Sequence, residues 1–300
     1  MEKNTWKEKI TDKTLQTHDQ VNIFYQTIES PSKKVVALAN GLGGRLYVWE
    51  PLINALFPEY KIICWDYRGL FQSGAPESIR RLAIPEHAED LKQILDKENI
   101  ASATVIGWSM GVQVALEFAT LYPEKTDALV LLNGTYGQAL STGFQPIFRF
   151  PNLNRLMHEV IDFVRDHRSI TNTLSKIMVS KSLIRPFGKL YGMIRGNPQI
   201  EDAIVQYVED VFGTDFNNYL RLFQELDAHS VYHHLRYIQE PVMVIWGCLD
   251  YLTPAYQSKE MVKKLPNVHY KRYRLGTHFV LIEYPKQVAA DILEFLHNQV

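Results

Sequence analysis

Ala103-Thr104-Val105-Ile106-Gly107-Trp108-Ser109-Met110-Gly111-Val112 runs from an apolar segment into a helical one through a G-x-S-x-G pentapeptide. Thr104-Val105-Ile106 is β-branched and suits a strand covered on both faces. From Met110 to Tyr122 the chain is apolar nearly all round (Val112, Val114, Ala115, Leu116, Phe118, Ala119, Leu121), as in a helix inside a large core. Pro123 then stops it. Between the two, Gly107 and Gly111 permit a sharp turn on which a serine hydroxyl stands exposed; a side chain at either glycine would crowd that turn. Five residues are a short pattern, and it is the strand before and the helix after that give this one weight.

Outward from this point the chain alternates. Val35–Ala39, Ile62–Trp65, Ala103–Ile106, Ala128–Leu132 and Val242–Trp246 are short apolar runs that read as parallel strands. Tyr270–Arg274 carries charge and suits a sheet edge, and Val21–Ile28 alternates as an antiparallel lead-in strand. Helical patterns lie between them, at about 46–58, 86–98, 110–122, 254–265 and 284–297. Strands alternating with helices predict an α/β fold with a mainly parallel sheet flanked by helices.

Residues 135–234 break the rhythm, for no buried-strand run occurs there. Leu156, Val160, Phe163 and Val164, then Ile204, Tyr207, Val208 and Val211, are spaced as in helices. The expected organisation is therefore a core of residues 1–134 and 235–300 with a helical insertion over 135–234. The insertion divides by charge: 141–200 holds nine Lys or Arg and three Asp or Glu, whereas 201–227 holds one Arg and seven Asp or Glu. Solvated helix faces account for this. A sharper reading gives Phe144, Phe148, Arg149, Phe150, Arg185, Phe187, Lys189 and Tyr191 a weak contact with anionic lipid surfaces.

Composition narrows the classes. A net charge of −1 over 300 residues gives no electrostatic case for nucleic acid. Cys64 and Cys248 make no disulfide framework. No metal-ligating cluster and no dinucleotide-type glycine loop is present, so no cofactor is expected. The N-terminus shows no apolar leader segment and no run is long enough to span a bilayer, so a cytoplasmic protein is the default expectation.

A serine hydroxyl needs a base, and the base an orienting acid. Asp250 follows the Val242–Trp246 run in Trp246-Gly247-Cys248-Leu249-Asp250. His278 follows the last strand in Gly276-Thr277-His278-Phe279. The order Ser109, Asp250, His278 and these strand-end positions resemble the serine hydrolases of the α/β-hydrolase superfamily, in the branch with a helical cap and esterase- or lipase-like members. The resemblance runs from about residue 20 to the C-terminus. Asn40-Gly41-Leu42-Gly43-Gly44 stands where the family places its oxyanion loop, with asparagine where many members have histidine. Asp66-Tyr67-Arg68-Gly69 with Gln72-Ser73-Gly74 matches a further family stretch, read as structural.

The resemblance implies Ser109 as nucleophile, His278 as base, Asp250 as acid, and the backbone N–H groups of Leu42 and Met110 as the oxyanion hole. It implies hydrolysis of small to medium lipophilic carboxylic esters through an acyl-enzyme. The alternatives on the same layout are C–C bond hydrolysis, thioester cleavage or acyl transfer, and a non-catalytic ligand-binding protein. Trp108, Val112 and Phe279 stand where C–C hydrolases often carry asparagine, glycine and tryptophan. The insertion should roof the site, with some of Phe144, Phe148, Phe150, Leu156, Phe163, Phe187 and Tyr191 lining a pocket. His233 and His234 lie near its return.

Overall fold

A computed structural model of the chain describes residues 5–139, 143, 153–167, 169–170, 173, 177, 185–186, 188–191, 193 and 199–300. Eight strands form one sheet: β1 (Ile10–Gln16), β2 (Asn22–Ile28), β3 (Val35–Ala39), β4 (Lys61–Trp65), β5 (Ala103–Trp108), β6 (Thr126–Leu132), β7 (Val242–Gly247) and β8 (Val268–Tyr273). Their order is β1-β2-β4-β3-β5-β6-β7-β8. β1, β2 and β4 pair antiparallel; every pair from β4 onward is parallel. The charged β8 lies at the edge, as expected.

The apolar runs are continuous because the sheet is buried on both faces. Alternate residues of one strand enter different cores. Ala103 and Val105 of β5 pack with Val35, Ala37, Leu129, Leu131, Val242 and Val244 on one side. Ile106 and Trp108 pack with Val36, Leu38, Val130, Leu132, Met243 and Ile245 on the other. α2 (Ile84–Lys97) and α3 (Met110–Leu121) cover the first side; α1 (Glu50–Leu56) and the C-terminal Pro285–Gln299 helix cover the second.

β1 is absent from the sequence expectations. Its residues Ile-Thr-Asp-Lys-Thr-Leu-Gln are all exposed or half-buried. Its hydrogen-bonded register on β2, from Ile10 opposite Ile28 to Gln16 opposite Asn22, holds it at the edge without a strong apolar pattern.

Between β6 and β7 the described residues form α4 (Leu153–Asp166), α5 (Gln199–Gly213) and α6 (Phe216–Ala228). The two ends of this segment meet: Gly137 and Ser230 form an antiparallel bridge, and the Val231 N–H donates to the Tyr136 carbonyl at 2.9 Å. α7 (Ala255–Lys264), the short α8 (Val280–Glu283) and α9 (Pro285–Gln299) complete the helices named here. No helix among the described residues is long and apolar enough to cross a membrane. Of the basic, aromatic face, Phe144, Phe148, Arg149, Phe150 and Phe187 lie outside the described residues. Arg185 and Lys189 are exposed, whereas the Tyr191 hydroxyl turns to Thr277 and Glu283.

Candidate active site

Ser109 has φ 56° and ψ −114°, and its side chain does not cap α3. The left-handed φ is costly for a residue other than glycine, and here it lifts the hydroxyl off the strand. Both glycines of the pentapeptide are sterically forced. A Cβ on Gly107 would stand 2.2 Å from the Gly111 carbonyl oxygen; one on Gly111 would stand 2.0 Å from that of Ala39.

Three strand ends bring the candidate side chains together. The Ser109 hydroxyl is 2.9 Å from His278 Nε2, and His278 Nδ1 is 2.9 Å from Asp250 Oδ2. Asp250 and His278 are 4% and 7% exposed, so water does little to screen their pairing. With the ring proton on Nδ1, Nε2 is free to accept the serine proton. Five donors converge on Asp250. Oδ1 accepts the backbone N–H groups of Leu252 and Thr253; Oδ2 accepts from the Thr253 hydroxyl, the Asn133 amide and His278. Burial opposes ionisation here, but the His278 charge and the hydrogen bonds from His278 and Thr253 outweigh it, holding the carboxyl below its ordinary 3.8.

Asn133 has no place among the sequence candidates. It stands at the end of β6 with φ 45°, donating to Asp250 at 2.8 Å and to the Thr277 carbonyl at 3.0 Å. It thereby ties the loop of the acid to the loop of the base. Trp108 has a similar bridging place. Its indole N–H donates to the His278 carbonyl at 3.1 Å, and its ring closes against the glycine loop, where a Cβ on Gly41 would come within 2.7 Å of it.

Leu42 and Met110 flank the serine at the ends of β3 and β5. Met110 opens α3, so its N–H has no acceptor within the helix and the helix dipole favours negative charge there. The Asn40 side chain turns away from the cavity: its Nδ2 donates to the Trp65 carbonyl, and its Oδ1 accepts the Trp49 indole N–H. The Arg68 side chain is fully buried, held by Asp90, by Asp19 at 2.9 Å and by the Arg81 carbonyl at 3.0 Å. That network lies outside the cavity lining and holds the fold together.

A cavity of about 230 Å³ opens beside Ser109 and His278. Its core-side lining includes Leu42, Met110 and Leu252; α5 and α6 contribute Tyr207, Tyr219, Phe223 and Leu226. Leu156 and Phe163 are instead 52% and 56% exposed and do not line it. Tyr191, His233 and His234 do not line it either; both histidines are exposed. Periodicity marks helices, Tyr207 among their residues, but cannot say which face meets the site. Among the described residues no group of three His, Cys, Asp or Glu could hold a metal ion.

A family model for the alpha/beta hydrolase fold matches residues 34–285, and the chain belongs to that family. It is a hydrolase of the α/β-hydrolase superfamily. A poly(3-hydroxyalkanoate) depolymerase of Ectopseudomonas oleovorans is 27% identical over 269 residues, 90% of this chain and 86% of the relative. RutD of Escherichia coli, to which carbamate hydrolysis is ascribed, is 26% identical over 263 residues, 87% of this chain and 86% of its own. An esterase from Exiguobacterium antarcticum superposes with a TM-score of 0.73, covering 96% of this chain and 100% of the esterase at 15% identity, a likeness of fold alone.

Proposed function

We propose that the chain is a serine carboxylic-ester hydrolase acting on small to medium lipophilic esters. The observation that carries this reading is the Ser109–His278–Asp250 line beside an apolar cavity. Ser109 Oγ attacks the ester carbonyl while His278 Nε2 takes its proton. The N–H groups of Leu42 and Met110 hold the resulting oxyanion. His278 returns the proton to the departing alcohol, leaving an acyl-serine. Water, deprotonated by His278, attacks that ester; the acid leaves and the serine regains its proton. Asp250 fixes the imidazole and offsets its positive charge throughout. The segment 135–234 serves as a cap, and Tyr207, Tyr219, Phe223 and Leu226 supply its share of the acyl site. A cavity of about 230 Å³ falls below the roughly 300–1,000 Å³ of drug-sized ligand sites, which favours short acyl chains.

Polyhydroxyalkanoates are polyesters, so the relative named for their depolymerisation supports ester cleavage. The test is turnover of p-nitrophenyl esters of rising acyl length, beside a p-nitrophenyl carbamate, a thioester and a ring-cleavage dienoate. Esters should react fastest, rise from acetyl toward butyryl or hexanoyl and then fall. Fluorophosphonate should label Ser109, and Ser109→Ala should lose both labelling and turnover while remaining folded. Faster carbamate or dienoate turnover would overturn the ester reading; near-parental turnover by Ser109→Ala would overturn the nucleophile.

A further inference from the structure

The glycine loop after β3 contains a tight turn. The Gly44 N–H donates to the Gly41 carbonyl at 2.8 Å, and Gly43, third of the four residues, has φ 82°. That φ at that position is what a type II turn requires. In type II the central peptide, here Leu42–Gly43, faces the opposite way from its type I orientation. The Leu42 carbonyl then has a defined direction, and it accepts a hydrogen bond from the Tyr207 phenol at 2.8 Å.

Tyr207 belongs to α5, 165 residues further along the chain. Its ring lies 5.8 Å from Trp108 and 5.9 Å from Phe279, both neighbours of the proposed reacting residues in sequence. The Tyr219 phenol of α6 stands nearby. The same two helices press on the next residue of the turn, where a Cβ on Gly43 would meet Val211 at 2.4 Å and Tyr219 at 3.2 Å. Burial, with the phenols of Tyr219 and Tyr47 nearby, holds the Tyr207 phenol well above its ordinary pKa, so it stays a donor.

We propose that Tyr207 is a positioning residue for ester hydrolysis: it fixes the Leu42–Gly43 peptide and thereby aims the Leu42 N–H at the oxyanion. The inference rests on the ester-hydrolase reading. Leu42 Cα joins the fixed peptide to the one that carries the Leu42 N–H, so holding the first limits the swing of the second. A hydrogen bond to a developing oxyanion weakens steeply with misalignment, so the effect belongs to the transition state more than to substrate binding. The helical segment then governs the rate of the chemical step as well as the fit of the acyl group.

The test compares the full-length parent with Tyr207→Phe and Tyr219→Phe, using p-nitrophenyl acetate, p-nitrophenyl butyrate and the rate of fluorophosphonate labelling. Tyr207→Phe should lower kcat about fivefold for both esters and slow labelling to match, the loss expected of one neutral hydrogen bond. Its KM should stay within about twofold of the parent, because the ring and the cavity shape remain. Tyr219→Phe, which leaves the Tyr207 bond to the Leu42 carbonyl in place, should lose less. A Tyr207→Phe kcat and labelling rate equal to the parent's would overturn the inference while the ester reading stands. So would a loss confined to KM that differs between acetate and butyrate, the signature of a wall residue. A parent that neither labels nor turns over esters would overturn the ester reading and this inference with it.

Discussion

Asp250→Asn replaces one oxygen by an NH2 group, and the surroundings decide which. Oδ1 accepts two backbone N–H groups, from Leu252 and Thr253, each at 2.9 Å. Those donors cannot turn round, so the remaining amide oxygen must occupy their side. The NH2 group is then forced to the Oδ2 side, facing His278 Nδ1, where the distance is 2.9 Å. There it donates to Nδ1, and the neutral ring must carry its own proton on Nε2. Nε2–H cannot accept the serine proton. The Thr253 hydroxyl can rotate to accept from the new NH2, whereas the Asn133 amide loses its acceptor there and keeps the Thr277 carbonyl, so the two fixed backbone donors on the Oδ1 side decide the orientation. A triad held in the wrong tautomer loses roughly 10³–10⁴-fold in kcat, about 4–5.5 kcal/mol of transition-state stabilisation. The assay is kcat on p-nitrophenyl butyrate with folding checked by circular dichroism, together with 15N chemical shifts of the His278 ring. Activity within about tenfold of the parent would refute the role of Asp250. A neutral His278 still protonated on Nδ1 in the variant would refute the orientation argument, even if the rate had fallen.

Leu226→Ala, at a cavity residue only 6% exposed, should shift the preferred p-nitrophenyl ester to a longer acyl chain and lower stability by about 2–4 kcal/mol; an unmoved chain-length optimum counts against the cavity as acyl site. Gly111→Ala should yield little folded protein because the new Cβ meets the backbone of β3, whereas Gly213→Ala, with nothing within 4 Å, should melt close to the parent; equal melting temperatures would contradict the steric reading. Burial first, then the neighbouring Arg68 charge, lowers the His87 pKa from 6.5 to about 3. Since the unfolded chain takes up a proton the folded chain refuses, the His87 contribution is full above pH 6.5 and fades as pH falls toward 3. His87→Phe should flatten the acid-side fall of Tm, and an unchanged slope would refute the assignment.

The sheet was legible where burial on both faces wrote continuous apolar runs, as at Val35–Ala39 and Val242–Gly247. It was illegible at Ile10–Gln16, where backbone pairing to β2 decides and side chains barely vote. Ser109, Asp250 and His278 could be read because each follows its strand closely, so strand order alone places them at one sheet edge. Asn133 and Tyr207 reach the site through hydrogen bonds to Asp250 and to the Leu42 carbonyl, 117 and 165 residues away in the chain. Composition leaves no trace of such contacts. The same holds for Phe223 and Leu226, whose facing depends on how α6 docks.

The bridge between Gly137 and Ser230 gives the segment it encloses one narrow gate. Loop-closure cost grows slowly with length, each doubling of a flexible connection adding only about 0.6 kcal/mol. The core therefore feels changes in that segment chiefly at the gate and at its docking points. Sequence drift, insertions or a wholesale exchange of helices can proceed there with the strand registers undisturbed. On the proposed reading, what any replacement must still deliver is local: an apolar wall beside Ser109 and a hydroxyl over the Leu42 carbonyl. A library that transplants such segments between relatives, joined at 137 and 230, offers a route to new selectivity in which the hydrolytic machinery stays constant.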